Sequence, residues 1–381
     1  MTRTFEEINE KLGTGKAVVL TAEELIDLVA QEGEAAAFAK VDVVTTGTFG
    51  PMCSSGAFLN FGHSDPPIRM EKLTINNVEA YGGLAAVDTY LGATQPSSDR
   101  GDNYGGAHVI EDLIAGKPIT LHATGKGTDC YPLREVNRTM TLAELNQAYL
   151  YNPRNVYQNY GAAANSSERT LHTYMGTLLP ELGNVTYSTA GELSPLLKDP
   201  GLRTIGMGTR IFFGGTVGYV GWEGTQNTYH QEDAPDGGTR VWGGTLALTG
   251  DMKAMDPRYV RGGTFQKYGS TLYVGAGFPI PVLDEELLHD LARPNDKLST
   301  RVFDYSVPSR NRPDFGLVSY AQLRSGSITI NGKSVPTAPL SSLSRAREIA
   351  QVLKGWLLQG KFPLTAPVVP TPKSPFGPMA D

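Results

Sequence analysis

Cys53 and Cys130 are the only thiols in 381 residues. A thiolate is the strongest nucleophile a protein offers near neutral pH, and its pKa falls beside cations or helix N-termini. Both cysteines have small or polar neighbours, in Met52-Cys53-Ser54-Ser55-Gly56 and Gly127-Thr128-Asp129-Cys130. These flanks suit an accessible thiol better than the packed structural role that is commoner for an isolated cysteine. Two thiols are too few for a disulfide scaffold or for the three or four ligands of a zinc or iron–sulfur site, and no C-x-x-C pair occurs. They do match a two-electron change, because closing one disulfide releases two electrons.

Other chemistry has weaker support. The histidines at 63, 108, 122, 172, 230 and 289 are scattered. His63, which follows Cys53 in the same loop-rich stretch, is the candidate to lower its pKa or to protonate a departing oxygen. Gly206-Met-Gly-Thr carries only two of the dinucleotide-binding glycines, Gly125-Lys-Gly-Thr is an incomplete P-loop, and no G-x-S-x-G elbow occurs.

The elements that must position the cysteines alternate in type. Thr4-Phe-Glu-Glu and Thr21-Ala-Glu-Glu each place a hydroxyl three residues before a glutamate, which predicts capped helices over 5–12 and 22–32. Val41-Asp-Val-Val-Thr-Thr predicts a buried strand that empties into the Cys53 loop. Lys72-Leu-Thr-Ile-Asn reads as a strand, His108–Ile114 as a helix closed by Gly116, and Ile119–Thr124 as a strand running into the Cys130 loop. Each cysteine thus follows a β-run, so the two loops are expected to meet at one edge of a sheet.

Thr141-Leu-Ala-Glu predicts a further helix, broken at Asn152-Pro-Arg. Beyond about residue 205 the texture turns β-rich, with glycine pairs. Pro281-Val-Leu-Asp-Glu-Glu starts a helix, Asn331-Gly332 marks a hairpin, and Leu343–Leu358 is an amphipathic helix stopped at Gly360. The expected fold is α/β. A mixed sheet with flanking helices forms the N-terminal part, and the C-terminal part is more β-rich and glycine-rich. The catalytic unit is expected over residues 1–362, with a change near 200, and a proline-rich tail over 363–381 extends along the surface.

The net charge is −6 with both signs mixed along the chain, which gives nucleic-acid binding no electrostatic basis. No apolar run approaches a membrane span, and the first residues lack a signal-peptide pattern, so a soluble cytoplasmic protein is expected.

The run Val43-Val-Thr-Thr-Gly-Thr-Phe-Gly-Pro-Met-Cys53-Ser-Ser-Gly-Ala-Phe-Leu-Asn-Phe-Gly-His63-Ser-Asp-Pro-Pro-Ile-Arg69 resembles the signature of the homocysteine biosynthesis family, the L-aspartate semialdehyde sulfurtransferases of methanogens and other anaerobes. Asn77-Val-Glu-Ala-Tyr-Gly-Gly, Ala107-His-Val-Ile-Glu-Asp-Leu and Gly127-Thr-Asp-Cys130-Tyr-Pro continue the resemblance in order, and weaker similarity extends to about residue 360. It implies incorporation of sulfide-level sulfur into aspartate semialdehyde, with the family's two cysteines falling on Cys53 and Cys130. It also implies no tightly bound cofactor and electrons from a ferredoxin-like iron–sulfur protein. Many relatives carry appended modules where this chain has its proline-rich tail, so the donor is expected to be a separate protein.

On that reading sulfur enters as a cysteine persulfide or mixed disulfide, one cysteine holds it, and the other resolves it. Arg69 and Arg134 are the candidates for the substrate carboxylate, and Ser54, Ser55 and Asp129 line the site. A homo-oligomer is compatible with this picture. A dithiol redox sensor or sulfur carrier, or an enzyme with a cysteine-ligated iron–sulfur cluster shared between chains, would use the same two residues.

Overall fold

A computed structural model of the chain describes residues 2–155, 160–309 and 311–371. Both predicted capping boxes form. Thr4 Oγ1 accepts from the Glu7 amide while the Glu7 carboxylate accepts from the Thr4 amide, and this starts the helix Phe5–Gly13. Thr21 and Glu24 do the same for the helix Ala22–Glu32. Val43–Thr45 then runs parallel to Val19–Thr21 and antiparallel to Pro279–Pro281 in a small three-stranded sheet.

The fold is α/β with mixed sheets, and the large sheet that dominates it is antiparallel. Its strands lie in the order Glu135–Met140, Ile119–Thr124, Lys72–Ile75, Val78–Tyr81, Asp88–Gly92, Gly56–Asn60, Gln147–Asn155, Leu246–Asp251, Thr216–Glu223, Arg210–Phe213, Gly269–Gly277 and Val260–Phe265. Thr48–Pro51 adds to this sheet along Gly269–Gly277. One face buries Leu59, Leu73, Leu91 and Leu150 with Val109, Ile110 and Leu113 of the helix Gly106–Ile114, and alternation along Ile119–Thr124, Lys72–Ile75, Val78–Tyr81 and Asp88–Gly92 leaves the other face of these strands more open to solvent, whereas Gly269–Gly277 is buried almost throughout.

A second sheet of six strands is mixed. In it Ala162–Ala164 runs parallel to Ser299–Asp304, and Val185–Tyr187 parallel to Lys333–Pro339. The helix Leu343–Leu358 forms over the predicted span and buries Ile349, Leu353 and Leu357 beside Val43, Phe49 and Phe212. It lies so close to Gly47 that a Cβ there would stand 2.2 Å from the Ala346 carbonyl oxygen, so only glycine fits.

Two expectations need correction. The capping box of Thr141 and Glu144 forms, but it closes only the 3-10 turn Leu142–Glu144, and the chain then becomes the strand Gln147–Asn155. Ala148 and Leu150 face the core while Gln147 and Tyr149 face out, a period of two that outweighs the helix start signal. The tail does more than lie on the surface. Leu364 and Thr371 are buried, and Val369–Pro370 pairs with Gly206–Met207. Residues 372–381 lie outside the described residues. The Asn331-Gly332 hairpin forms as expected, both residues at positive φ. No helix among the described residues is long and apolar enough to cross a membrane.

Candidate functional site

Cys53 stands in the turn between Thr48–Pro51 and Gly56–Asn60, strands that pair with different neighbours. The buried Ser55 fixes this turn: its amide donates to the Met52 carbonyl at 3.0 Å, and its hydroxyl lies 2.5 Å from that oxygen and 3.0 Å from Asn152 Oδ1. The turn aims the Cys53 side chain at Gly269–Gly277, where Sγ lies 3.1 Å from Thr271 Oγ1. Burial pushes the thiol above its ordinary pKa. Hydrogen bonds with Thr271 and Tyr268 and the charge of Arg154 oppose that rise without cancelling it.

The thiol opens on a cavity of about 600 Å³ whose walls come from both sheets. Arg154 lies beside it, with Nε and Nη2 each 3.2 Å from Ser54 Oγ and Nη1 donating to Gln226 Oε1. Across the cavity the Arg312 guanidinium stacks 4.0 Å over the Tyr305 ring, and its Nε donates to the Val307 carbonyl at 3.1 Å.

Tyr160, Tyr174, Tyr268 and Tyr305 complete this wall as a chain of edge-to-face rings, with the Tyr174 and Tyr305 hydroxyls 3.1 Å apart. Burial raises the Tyr174 phenol, but hydrogen bonds with Tyr160, Tyr305 and Arg312 and the Arg312 charge bring it below its usual value. Tyr305 is raised by burial and by Tyr174, and Tyr268 is pushed up to about 12 by burial and the neighbouring Cys53. Among the described residues no Asp or Glu lines the cavity, so its two arginines favour anions.

The residues predicted from sequence divide into two groups. Cys53 and Ser54 line the cavity, and Ser55 stands behind the turn. Cys130, His63, Arg69, Asp129 and Arg134 lie elsewhere, all exposed. The 125–134 loop packs on residues 63–69, with the Tyr131 ring stacked near His63 and Leu133 bridged to Ile68. Between Ile119–Thr124 and Gly56–Asn60 stand three strands, so the two loops are four strand spacings apart, about 19 Å along the sheet. The register also places the Cys130 loop toward the Asn60 end of its strand and Cys53 beyond the Gly56 end. The expected meeting of the loops therefore does not occur, since a disulfide needs Cα atoms within about 7 Å. Both loops do follow strands, but antiparallel strands alternate their ends and carry the two loops to opposite edges.

Arg154, Arg312, Thr271 and the four tyrosines were not singled out from the sequence. They are spread from 154 to 312, and only Arg154 fell within a stretch already noted, as the last residue of the helix-breaking Asn152-Pro-Arg. Among the described residues no group of three or more His, Cys, Asp or Glu is placed so that it could hold a metal ion.

A family profile described as "Homocysteine biosynthesis enzyme, sulfur-incorporation" matches residues 17–364. The L-aspartate semialdehyde sulfurtransferase of Methanosarcina acetivorans is 53% identical over 96% of this chain and 71% of its own length. The protein of the same name from Methanocaldococcus jannaschii is 52% identical over 95% of this chain and 72% of its own. An uncharacterized protein of Methanothermobacter thermautotrophicus is 29% identical over 86% of the chain. No solved structure matches. With similarity along nearly its whole length, and a thiol that opens on a cavity holding two arginines, the chain belongs to the family of sulfur-incorporating homocysteine biosynthesis enzymes.

Proposed function

We propose that this protein, acting in the cytoplasm, incorporates sulfide into L-aspartate semialdehyde to give L-homocysteine, with Cys53 as the thiol that carries the sulfur. The observation behind this reading is that Cys53 alone of the two cysteines opens on the arginine-lined cavity. The name shared by two relatives supplies the substrate.

The chemistry balances with a single protein thiol. Hydrosulfide adds to the aldehyde carbon, and loss of water leaves a thioaldehyde. The Cys53 thiolate attacks the thioaldehyde sulfur while the carbon takes up a proton, so one S–S and one C–H bond form. Two electrons and two protons then split the mixed disulfide, releasing homocysteine and the Cys53 thiol. A ferredoxin-like iron–sulfur protein is the proposed electron source. Arg154 stabilises the anionic sulfur beside it, and Tyr268, its phenol kept protonated by a pKa of about 12, donates a hydrogen bond to the departing oxygen. Cys130, on a separate exposed loop, has no part in these steps.

The test is turnover of aspartate semialdehyde and sulfide with titanium(III) citrate as reductant. Cys53→Ser is expected to form no homocysteine, whereas Cys130→Ser stays within about twofold of wild type, as a surface change distant from the site should. Peptide mass mapping of stalled wild type should find the homocysteine adduct on Cys53. A folded but inactive Cys130→Ser would reinstate a resolving role for the second thiol, and an active Cys53→Ser would end the proposal.

A further inference from the structure

The charge imbalance of the cavity bears on what it selects. Aspartate semialdehyde offers an aldehyde, an α-carboxylate and an α-ammonium group. The Arg154 fork is occupied by Ser54 and Gln226 next to the thiol. Arg312 is differently placed. Among the described residues its Nε donates to the Val307 carbonyl, its guanidinium lies over the Tyr305 ring and bonds the Tyr174 hydroxyl with Tyr160 nearby, and it makes no ion pair. A planar cation held against aromatic rings at a cavity wall is set to take a carboxylate through two parallel hydrogen bonds. Among the described residues no carboxylate awaits the ammonium. No Asp or Glu lines the cavity among the described residues, and what remains for a cation is neutral: the Gln226 amide oxygen, serine and threonine hydroxyls, and the ring quadrupoles of the tyrosine faces.

We infer that Arg312 seats the substrate carboxylate and that the amino group is dispensable, so the enzyme also converts the desamino aldehyde, succinate semialdehyde, to 4-sulfanylbutanoate. The inference rests on the sulfur-incorporation reading above. The balance is the same: aldehyde, hydrogen sulfide, two electrons and two protons give thiol and water, with the electrons from titanium(III) or an iron–sulfur donor. The chemical class accepted is a four-carbon aldehyde with a terminal carboxylate. An amino aldehyde without the carboxylate is rejected.

The experiment compares aspartate semialdehyde, succinate semialdehyde and 3-aminopropanal with the full chain, sulfide and titanium(III) citrate. The expected kcat/KM for succinate semialdehyde lies within about tenfold of that for aspartate semialdehyde, and the value for 3-aminopropanal is lower by about 100-fold or more. Arg312→Gln is expected to raise KM for both carboxylate substrates by about 100-fold with a smaller change in kcat, to leave 3-aminopropanal unaffected, and to be partly rescued in Arg312→Lys. Rejection of succinate semialdehyde by an enzyme that turns over aspartate semialdehyde overturns the inference, as does an unchanged ratio of kcat/KM between the two carboxylate substrates and 3-aminopropanal in folded Arg312→Gln.

A binding measurement separates this inference from the reading beneath it. Butanoate, but not propylamine, should protect Cys53 from iodoacetamide in wild type and fail to do so in Arg312→Gln. That result would uphold the seat even if aspartate semialdehyde were not turned over, and its absence would refute the seat.

Discussion

Replacing Thr271 by valine isolates the smallest contact on which the reactivity of Cys53 depends. Thr271 is fully buried in Gly269–Gly277, and its Oγ1 lies 3.1 Å from the sulfur. Valine keeps the branched shape and removes the hydroxyl that must donate once the thiol ionises. A hydrogen bond to a charged group contributes about 1.5–3 kcal/mol. Because the neutral thiol loses part of the same contact, the lower end applies, and 1.5 kcal/mol corresponds to about a tenfold loss of thiolate at fixed pH.

The assay is the rate of iodoacetamide modification at each cysteine, resolved by peptide mass, between pH 7 and 10. Because burial holds the Cys53 thiol above its ordinary pKa, its rate should climb throughout the neutral range, and the Thr271→Val curve should be displaced further to alkaline pH. The exposed Cys130 is an internal reference that the substitution does not touch. If the ratio of the two rates is the same in mutant and wild type, Thr271 does not stabilise the thiolate and the account of the site is wrong at its centre.

Two further outcomes test the scaffold. Gly47→Ala drives a Cβ to 2.2 Å from the Ala346 carbonyl oxygen and 3.1 Å from the Ala350 amide, both backbone atoms of a packed helix. It should cost about 3 kcal/mol or more, read as a lower urea midpoint, and an unchanged midpoint would refute the close approach. Lys198 is fully buried and its Nζ donates to the Arg293 carbonyl at 2.6 Å, while burial lowers its pKa to about 7. The unfolded chain then holds more protons than the folded one between about pH 7 and 10, so stability should rise with pH across that window, by as much as about 4 kcal/mol. Urea titrations of Lys198→Met should show the rise flattened, and an equal rise in mutant and wild type would count against it.

Local signals in the sequence were read well because they act over a few residues. The capping boxes at Thr4 and Thr21, the Asn331-Gly332 turn and the span of Leu343–Leu358 all follow from neighbours within one or two turns of chain. Cys53 and Ser54 were legible for the same reason, since small flanks mark an open loop. The position of Cys130 was not, because it depends on how many strands intervene and on which end of each strand faces which way, and nothing local records either. Arg154 and Arg312 looked like any other arginines. Their significance comes from a cavity between two sheets whose contributing residues are separated in sequence by more than a hundred positions.

The bond between Cys53 and Thr271 spans 218 positions of sequence, and this has a consequence during synthesis. At about 5–20 residues per second, a ribosome places the thiol in solution roughly 10 to 40 s before its partner is made. Until then the neighbouring strand is missing and burial cannot hold the sulfur protonated, so the nascent thiol is open to oxidation and to passing electrophiles. The protein's chemical vulnerability should therefore peak before it is complete. Brief exposure of translating cells to an oxidant should mark Cys53 in newly made chains far more than the same exposure marks the mature pool.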